Sequence, residues 1–168
     1  MSVGDTVGTV GVECLPASVG TLSSLSRIDY ADHFVLPIDV AASPVERWAR
    51  VMFGDTPDAV ELFVWRGLLG LRLDRTVSSD IVAGWQIRER DDEWIRLEAT
   101  SWFLAANLVV QVTGDSVALA TFLRYDRWLA HLIWPPLSAV HRQLVPGVLR
   151  KAASRIAAGM ARNGVSSR

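Results

Sequence analysis

The sequence predicts an α+β domain, in which a curved antiparallel sheet wraps around one long C-terminal helix. The first observation is the pattern of residues 85–126, in which apolar and polar side chains alternate between short polar turns. A helix-start signal at Ser43 to Glu46 precedes this block. Apolar residues at helical spacing follow it from Leu137, so one amphipathic helix is available to cover the apolar face of the sheet.

The composition is that of a single domain with an excess of apolar surface. The chain has 168 residues, of which 50% are hydrophobic, and it contains seven tryptophans. A chain of this length buries a substantial core, and further apolar surface must line a cavity or a partner interface. The formal net charge of -1 excludes the basic footprint that nucleic-acid-binding proteins carry.

The cysteine and histidine content and the lengths of the apolar runs limit which cofactors and which cellular location we expect. Cys14 is the only cysteine, which excludes an intramolecular disulfide and a thiolate metal cluster. The three histidines are well separated, so we expect no zinc site and no other cofactor. No apolar run reaches membrane-spanning length, and residues 1–27 lack a signal-peptide pattern. A cytoplasmic protein without a membrane span is therefore expected.

The N-terminal part predicts an arm followed by a first strand. Residues 1–27 are rich in Gly, Ser, Thr and Val and predict a loosely ordered arm, and residues 28–158 are assigned to the domain itself. Alternating apolar positions predict the first strand at Phe34, Leu36 and Ile38. Pro37 within it indicates either an edge strand or the end of the strand.

Two short helices in series are predicted next. Ser43 is suited to cap a helix, Pro44 to occupy its first position, and Glu46 to complete a capping box. Gly54 is predicted to end this helix. Thr56-Pro57 repeats the start signal and predicts the second helix.

The alternating block predicts a four-stranded meander with one apolar face. Turns are expected at residues 91–93 and 113–115, and a third reversal near residues 102–105. The apolar face is predicted to contain Trp85, Ile87, Ile95, Leu97, Ala99, Ser101, Ala106, Leu108, Val110, Val112, Val117, Leu119, Thr121, Leu123 and Tyr125. The opposite, solvated face is predicted to contain Arg88, Arg96, Glu98, Thr100, Asn107, Gln111 and Arg124.

The C-terminal stretch predicts the covering helix. Pro135-Pro136 is expected to separate a short segment, residues 128–134, from a long helix that starts near Leu137. Pro146 is expected to kink that helix, and residues 159–168 are predicted to form a frayed tail.

Five short strings resemble a bacterial domain-of-unknown-function family near the START-like superfamily, also called SRPBCC or polyketide-cyclase-like. They are DYADHF at residues 29–34, GWQI at 84–87, LEATSW at 97–102, RYDR at 124–127 and HRQLVP at 141–146. The resemblance covers roughly residues 29–155 and implies a helix-grip fold with a cavity between sheet and helix. The superfamily includes lipid carriers, hormone and polyphenol binders, cyclases and oxygenase subunits, so the resemblance implies no single reaction.

The predicted cavity supplies the candidate site. A mostly apolar pocket with a few convergent polar groups is typical of small-molecule binding. The candidate ligand-binding residues are Trp85, Ser101, Leu108, Val110, Leu119, Thr121, Leu123, Tyr125 and His141. A solid core in which the serine and threonine are small fillers remains the alternative.

His141 is the candidate for acid–base chemistry, because an imidazole titrates near neutral pH. Its alternative roles are capping a carbonyl or pairing with a carboxylate. The other ionisable groups are assigned structural roles. Cross-strand ion pairs are predicted for Arg96, Glu98 and Arg124, turn-capping or solvated positions for Asp29, Asp32 and Asp126, and surface positions for His33 and His131.

Three functions follow as hypotheses. The first is non-catalytic binding or carriage of a small, mostly apolar molecule. The second is an enzyme of the cyclase, dehydratase or hydrolase kind that uses His141 with Tyr125 as hydrogen-bond donor. The third is a protein-interaction module, a homodimer included, whose exposed tryptophans form the contact.

Overall fold

The computed structural model describes residues 4–39, 43–54, 63–76 and 78–165. Seven antiparallel strands in these residues form one curved, open sheet, and a long C-terminal helix packs against it, which confirms the α+β class. The strand order is β1-β2-β7-β6-β5-β4-β3. The middle of the sheet is therefore made by the last three strands of the meander, and the strand that follows the arm lies beside them.

The predicted elements that lie within the described residues follow one another in the predicted order, and the strands at residues 7–10 and 81–82 and the short helical turns at residues 12–14 and 17–20 were not predicted. The strands are β1 (Val7–Val10), β2 (Tyr30–Pro37), β3 (Ile81–Val82), β4 (Trp85–Arg90), β5 (Trp94–Thr100), β6 (Leu104–Val112) and β7 (Ser116–Tyr125). The α-helices are α1 (Ala17–Gly20), α2 (Val45–Phe53) and α3 (Leu129–Val165). A 3-10 turn occupies Val12–Cys14 and a π-helical turn Phe63–Leu68. The second helix start, Thr56-Pro57, lies outside the described residues.

The meander from β4 to β7 confirms the predicted reversals and inner face. Register places Leu97 opposite Leu108, and Leu108 opposite Thr121, so these side chains share one face. The third reversal falls at residues 101–103. It needs no Gly or Pro, because the Ser101 hydroxyl oxygen accepts the backbone N–H groups of Phe103 and Leu104 at 3.3 and 3.1 Å.

The outer face is less solvated than predicted. Four of its central side chains are almost fully buried, namely Asn107, Val109, Ala120 and Phe122. The segment predicted to be a loose arm covers them, with Val19 buried at the centre of the contact. This segment also pairs β1 with β2 along Val7–Val10. The expectation of a loosely ordered arm is thus wrong for its described residues.

Pro37 ends an interior strand. β2 lies between β1 and β7, so the edge alternative is wrong. Pro37 is the last residue of β2, as the second alternative predicts, and its carbonyl accepts the Gly4 N–H at 3.0 Å. Proline has no backbone N–H group to donate. It is tolerated here because the last residue of a strand does not have to donate a hydrogen bond to the neighbouring strand.

Helix α2 buries one apolar face and ends where predicted. Its buried side chains are Val45, Trp48, Ala49, Met52 and Phe53. Gly54 follows with a φ of 77°, and its N–H reaches the Arg50 carbonyl at 2.8 Å. The helix begins one residue later than predicted, at Val45, and no side chain makes a capping hydrogen bond.

Helix α3 is continuous where a break was predicted. It runs through Pro135, Pro136, Pro146 and Gly159 to Val165. Each proline removes one intrahelical hydrogen bond, but the apolar side of the helix stays packed on the sheet on both sides of the prolines. The buried side chains of this stripe include Ala130, Trp134, Val145, Leu149, Ala152 and Ile156. Tertiary burial, rather than local preference, therefore holds the helix together.

The β3–β4 hairpin gives a test of the fold. Its turn residues Ala83 and Gly84 both have positive φ, 49° and 86°, as in a type I′ turn. A Cβ on Gly84 would lie 2.8 Å from the Leu73 Cβ. We expect Gly84→Ala to lower the free energy of unfolding by about 2 kcal/mol or more, because φ strain and a backbone clash combine.

Gly114→Ala is the matched control for this experiment. Gly114 has no heavy atom within 4 Å of an added Cβ and lacks a positive φ. Its unfolding free energy should stay within about 0.5 kcal/mol of the parent in urea denaturation. Equal losses in the two variants would contradict the turn geometry.

Candidate functional site

A cavity of about 160 Å³ lies between the apolar face of the sheet and helix α3. The sheet contributes Trp85, Ala106, Leu108, Leu119, Thr121 and Leu123. Helix α3 contributes Trp134, Leu137, Val140, His141, Leu144, Val145 and Val148. Helix α2 contributes Phe53, and residues 63–71 contribute Trp65, Leu69 and Leu71. Val140 and Leu144 are 52% and 56% exposed, so the cavity reaches the surface beside these two residues.

Six of the nine candidate ligand-binding residues line this cavity. They are Trp85, Leu108, Leu119, Thr121, Leu123 and His141. The other three lie elsewhere. Ser101 is used in the β5–β6 turn, Val110 is a buried core residue on the same face, and the Tyr125 ring packs edge-on against His131 at 4.7 Å between centroids.

A buried carboxylate holds the imidazole of His141. The His141 Nε2 atom lies 3.1 Å from Asp32 Oδ2 and 3.1 Å from Thr121 Oγ1. Asp32 has no exposed surface, and its Oδ2 also accepts the Tyr30 hydroxyl at 2.6 Å. The pairing of His141 with a carboxylate is thus the observed alternative among its predicted roles. We call Tyr30, Asp32, Thr121 and His141 the polar corner of the cavity.

Asp32 is a residue of the candidate site that the sequence analysis missed. It was assigned a solvated or turn-capping role, yet it is fully buried beside the cavity. The alternation of β2 carried the signal, because Asp32 shares the inward-facing parity of Phe34 and Leu36. An acidic side chain on an apolar strand face requires a buried partner, and His141 is that partner.

The other ionisable residues that were given predicted roles do not line the cavity. His33, expected at the surface, is buried on the outer face, and this burial lowers the pKa of its imidazole below the ordinary value. Asp29 and Asp126 keep local roles, since Asp29 accepts the Tyr125 N–H and Asp126 pairs with Arg124. A cross-strand ion pair is confirmed for Arg96, whereas Glu98 pairs within its own strand.

Arg96 pairs with Glu98 on its own strand at 2.8 Å and with Glu89 across strands at 2.7 Å. Arg124 pairs instead with Asp126 and lies outside this cluster. These charges belong to the outer face and contribute no group to the cavity.

Two indole groups in the cavity wall have no hydrogen-bond partner among the residues that the structure describes. Trp85 and Trp134 are 2% and 4% exposed, and their Nε1 atoms are buried without a partner. Both rings pack edge-on or tilted against aromatic neighbours, Trp85 against Trp65 and Trp134 against Tyr30 and His141. The wall is therefore rigid and aromatic, with its indole nitrogens closed off behind the ring faces.

Two exposed tryptophans, which suit the hypothesis of a protein-interaction module, lie outside the cavity. Trp102 and Trp128 are 58% and 74% exposed, and the Arg127 guanidinium lies 6.0 Å from the Trp102 ring centre. A second, more open groove of about 470 Å³ runs past residues 43–46 and 90–95. Its charged walls are paired with each other through Glu46 and Arg90 at 3.3 Å. The apolar cavity is the better candidate site.

Comparison with protein-family models, with curated proteins and with solved structures found no match. Within the described residues, no three His, Cys, Asp or Glu side chains are grouped to hold a metal ion. No helix of the described chain combines the length and apolarity that a membrane crossing requires.

The two tyrosines provide a pH test of the polar corner. Burial, the charge of Asp32 and the hydrogen bond to it raise the pKa of Tyr30 far above the usual value of 10.0. Burial, with a smaller effect of Asp29, raises the pKa of Tyr125 to about 12. Raised values favour the neutral phenols, so their stabilising contribution is complete below pH about 10 and is lost as pH rises through the folded-state values.

Because the chain has only two tyrosines, ultraviolet phenolate absorbance reports on both. We expect little phenolate in the folded protein at pH 11, where the urea-unfolded protein is largely ionised. Tyr30→Phe should leave one titration with a pKa near 12. Phenolate formation near pH 10 in the folded protein would show that Tyr30 is not held by Asp32.

Proposed function

We propose that this protein binds a small, mostly apolar molecule in the cavity, on a helix-grip scaffold of the START-like kind. The observation that carries the proposal is the space of about 160 Å³ under α3, which is lined almost entirely by apolar side chains. Protein interiors are normally close-packed. A void of this size is comparable with a cavity of about 150 Å³ that stays dry and binds benzene.

The order of elements supports the scaffold. A strand, a helix, an antiparallel meander and a long C-terminal helix follow one another, and the helix lies against the inner face of the sheet. The ligand would enter beside the exposed side chains of Val140 and Leu144. Apolar burial at about 25 cal/mol per Å² would supply most of its affinity.

Native mass spectrometry of the purified protein, before and after denaturing release, tests the binding function directly. A co-purified molecule at near one-to-one occupancy supports it and gives the ligand mass. Ethylbenzene, titrated calorimetrically, serves as the probe for protein that is purified empty.

Leu108→Trp tests whether the cavity is the binding site. Leu108 lies between Leu97 and Thr121 in the register and lines the cavity, so an indole there fills the space. We expect ethylbenzene affinity to fall at least about tenfold while circular dichroism and the melting temperature show an intact fold. Unchanged affinity in the folded variant would place the ligand elsewhere.

Gln111→Trp is the control for this substitution. Gln111 lies on the same strand, at a half-buried position outside the cavity. This variant introduces the same indole side chain outside the cavity, so ethylbenzene binding should remain at the parent level.

An enzyme is the second candidate, and the pairing of Asp32 with His141 favours it. A buried carboxylate that orients an imidazole at a cavity wall is the arrangement of general bases. The predicted donor Tyr125 lies away from His141, and Tyr30 contacts the pair instead. The simplest reaction is ester hydrolysis, in which the imidazole takes a proton from the water that attacks the ester carbonyl.

Release of p-nitrophenol from p-nitrophenyl acetate measures this activity. The enzyme hypothesis expects the parent to exceed the buffer rate and His141→Gln to lose the excess by about 100-fold or more. Equal rates for parent, variant and buffer would leave binding as the function.

A further inference from the structure

The contacts of His141 determine which of its nitrogens carries the hydrogen. Asp32 Oδ2 lies 3.1 Å from Nε2, and an ionised carboxylate only accepts hydrogen bonds. Asp32 Oδ2 already accepts the Tyr30 hydroxyl at 2.6 Å, so it is held as an acceptor on two sides. In the neutral imidazole the hydrogen is therefore on Nε2, and Nδ1 keeps its lone pair.

This lone pair is the open polar contact of the cavity. Nδ1 makes no hydrogen bond with the described residues, while Nε2 is occupied by Asp32 and Thr121. His141 lines the cavity and its side chain is 23% exposed. By contrast, the indole nitrogens of Trp85 and Trp134 are fully buried. In the neutral imidazole, Nδ1 thus offers a ligand in this cavity a hydrogen-bond acceptor.

The buried carboxylate is the independent observation that supports a ligand contact here. Asp32 has no exposed surface, and its Oδ1 atom has no hydrogen-bond partner. Such a group is costly to keep in an apolar core. The buried carboxylate orients the imidazole of His141, and this imidazole lines the cavity. The energetic cost of burying Asp32 is therefore linked to how His141 is presented to a ligand.

We propose that the bound molecule carries a hydroxyl group that donates a hydrogen bond to Nδ1 of His141. The proposal rests on ligand binding in the cavity and specifies the ligand class, namely small phenols or ring alcohols. A space of about 160 Å³ admits one or two rings. Leu108, Leu119 and Leu123 contact the apolar part of the ligand, and Asp32 acts as a positioning residue through the imidazole.

Three probes with one shared ring test this assignment. They are 4-ethylphenol, its methyl ether 4-ethylanisole, and ethylbenzene, each titrated calorimetrically into the purified protein. The phenol donates to a lone pair, whereas the ether and the hydrocarbon do not. We expect the phenol to bind roughly tenfold more tightly than either of the other two.

His141→Phe removes the acceptor and keeps a ring of similar shape. The phenol should lose its advantage, while ethylbenzene affinity stays within about threefold of the parent. Retention of ethylbenzene binding shows that the cavity has survived the substitution.

Asp32→Asn separates positioning from packing. An asparagine amide can donate to Nε2, which moves the imidazole hydrogen to Nδ1 and turns the contact into a donor. The preference for phenol over ether should then disappear. A purely structural role would weaken all three probes equally. Tyr30→Phe is the control, since it removes one hydrogen bond to Asp32 without changing the hydrogen on Nε2.

Each remaining result counts against a specific claim. Equal affinity of phenol and ether in the parent overturns the hydroxyl assignment, and so does tighter binding of the ether. In both cases ethylbenzene binding would leave the proposed binding function intact. Failure of all three probes to bind would overturn that function, and the hydroxyl assignment with it.

Discussion

The contact of helix α3 with the inner face of the sheet is the interaction on which the rest of the structure depends. The apolar stripe of α3, from Ala130 to Ile156, packs against β2, β7 and helix α2, and α2 in turn covers β5 and β6 on the same inner face. At both ends this contact is a close-packed core. In the middle, the small side chain of Ala106 and the short side chain of Thr121 face α3 across a gap. Cavity and core are therefore products of the same packing.

The polar corner imposes a second constraint on this contact. Asp32 is buried among apolar side chains, and a buried carboxylate is costly to keep unless polar partners offset part of that cost. Tyr30 from its own strand and His141 from α3 supply two of them. The pair links the sheet to the helix at one defined position. The imidazole is thereby held in one orientation, which would lower the entropic cost of binding the proposed ligand.

The outer face shows how polar residues and burial coexist. Asn107 is almost fully buried, yet its Oδ1 accepts the Ser24 N–H at 2.9 Å and the Ser23 hydroxyl at 3.0 Å. Arg96 similarly donates to the Leu22 carbonyl at 3.0 Å. The polar side chains of this face thus hold the N-terminal segment, and Val19 fills the space between them. Both faces of the central strands are consequently buried, which explains why Val109, Ala120 and Phe122 are apolar.

The sequence by itself determined the local structure of this protein. Alternation located β4 to β7, polar turns located two reversals, and Gly54 located the end of α2, because these signals act over a few neighbouring residues. The same alternation identified the inner face and six of the residues that line the cavity. Leu108, Thr121 and His141 were thus predictable as candidates, although their mutual distances were not.

Only the tertiary structure decided which distant segments meet. The arm was predicted to be loose because its own residues bury little surface, and its order comes from contacts with strands about a hundred positions later. Helix α3 passes three prolines because its apolar stripe packs on the sheet and on helix α2. Asp32 and His141 are separated by most of the chain, so no spacing rule connects them. Local sequence sets propensities, whereas burial against a distant partner decides whether an arm orders, a helix continues, or a carboxylate finds its imidazole.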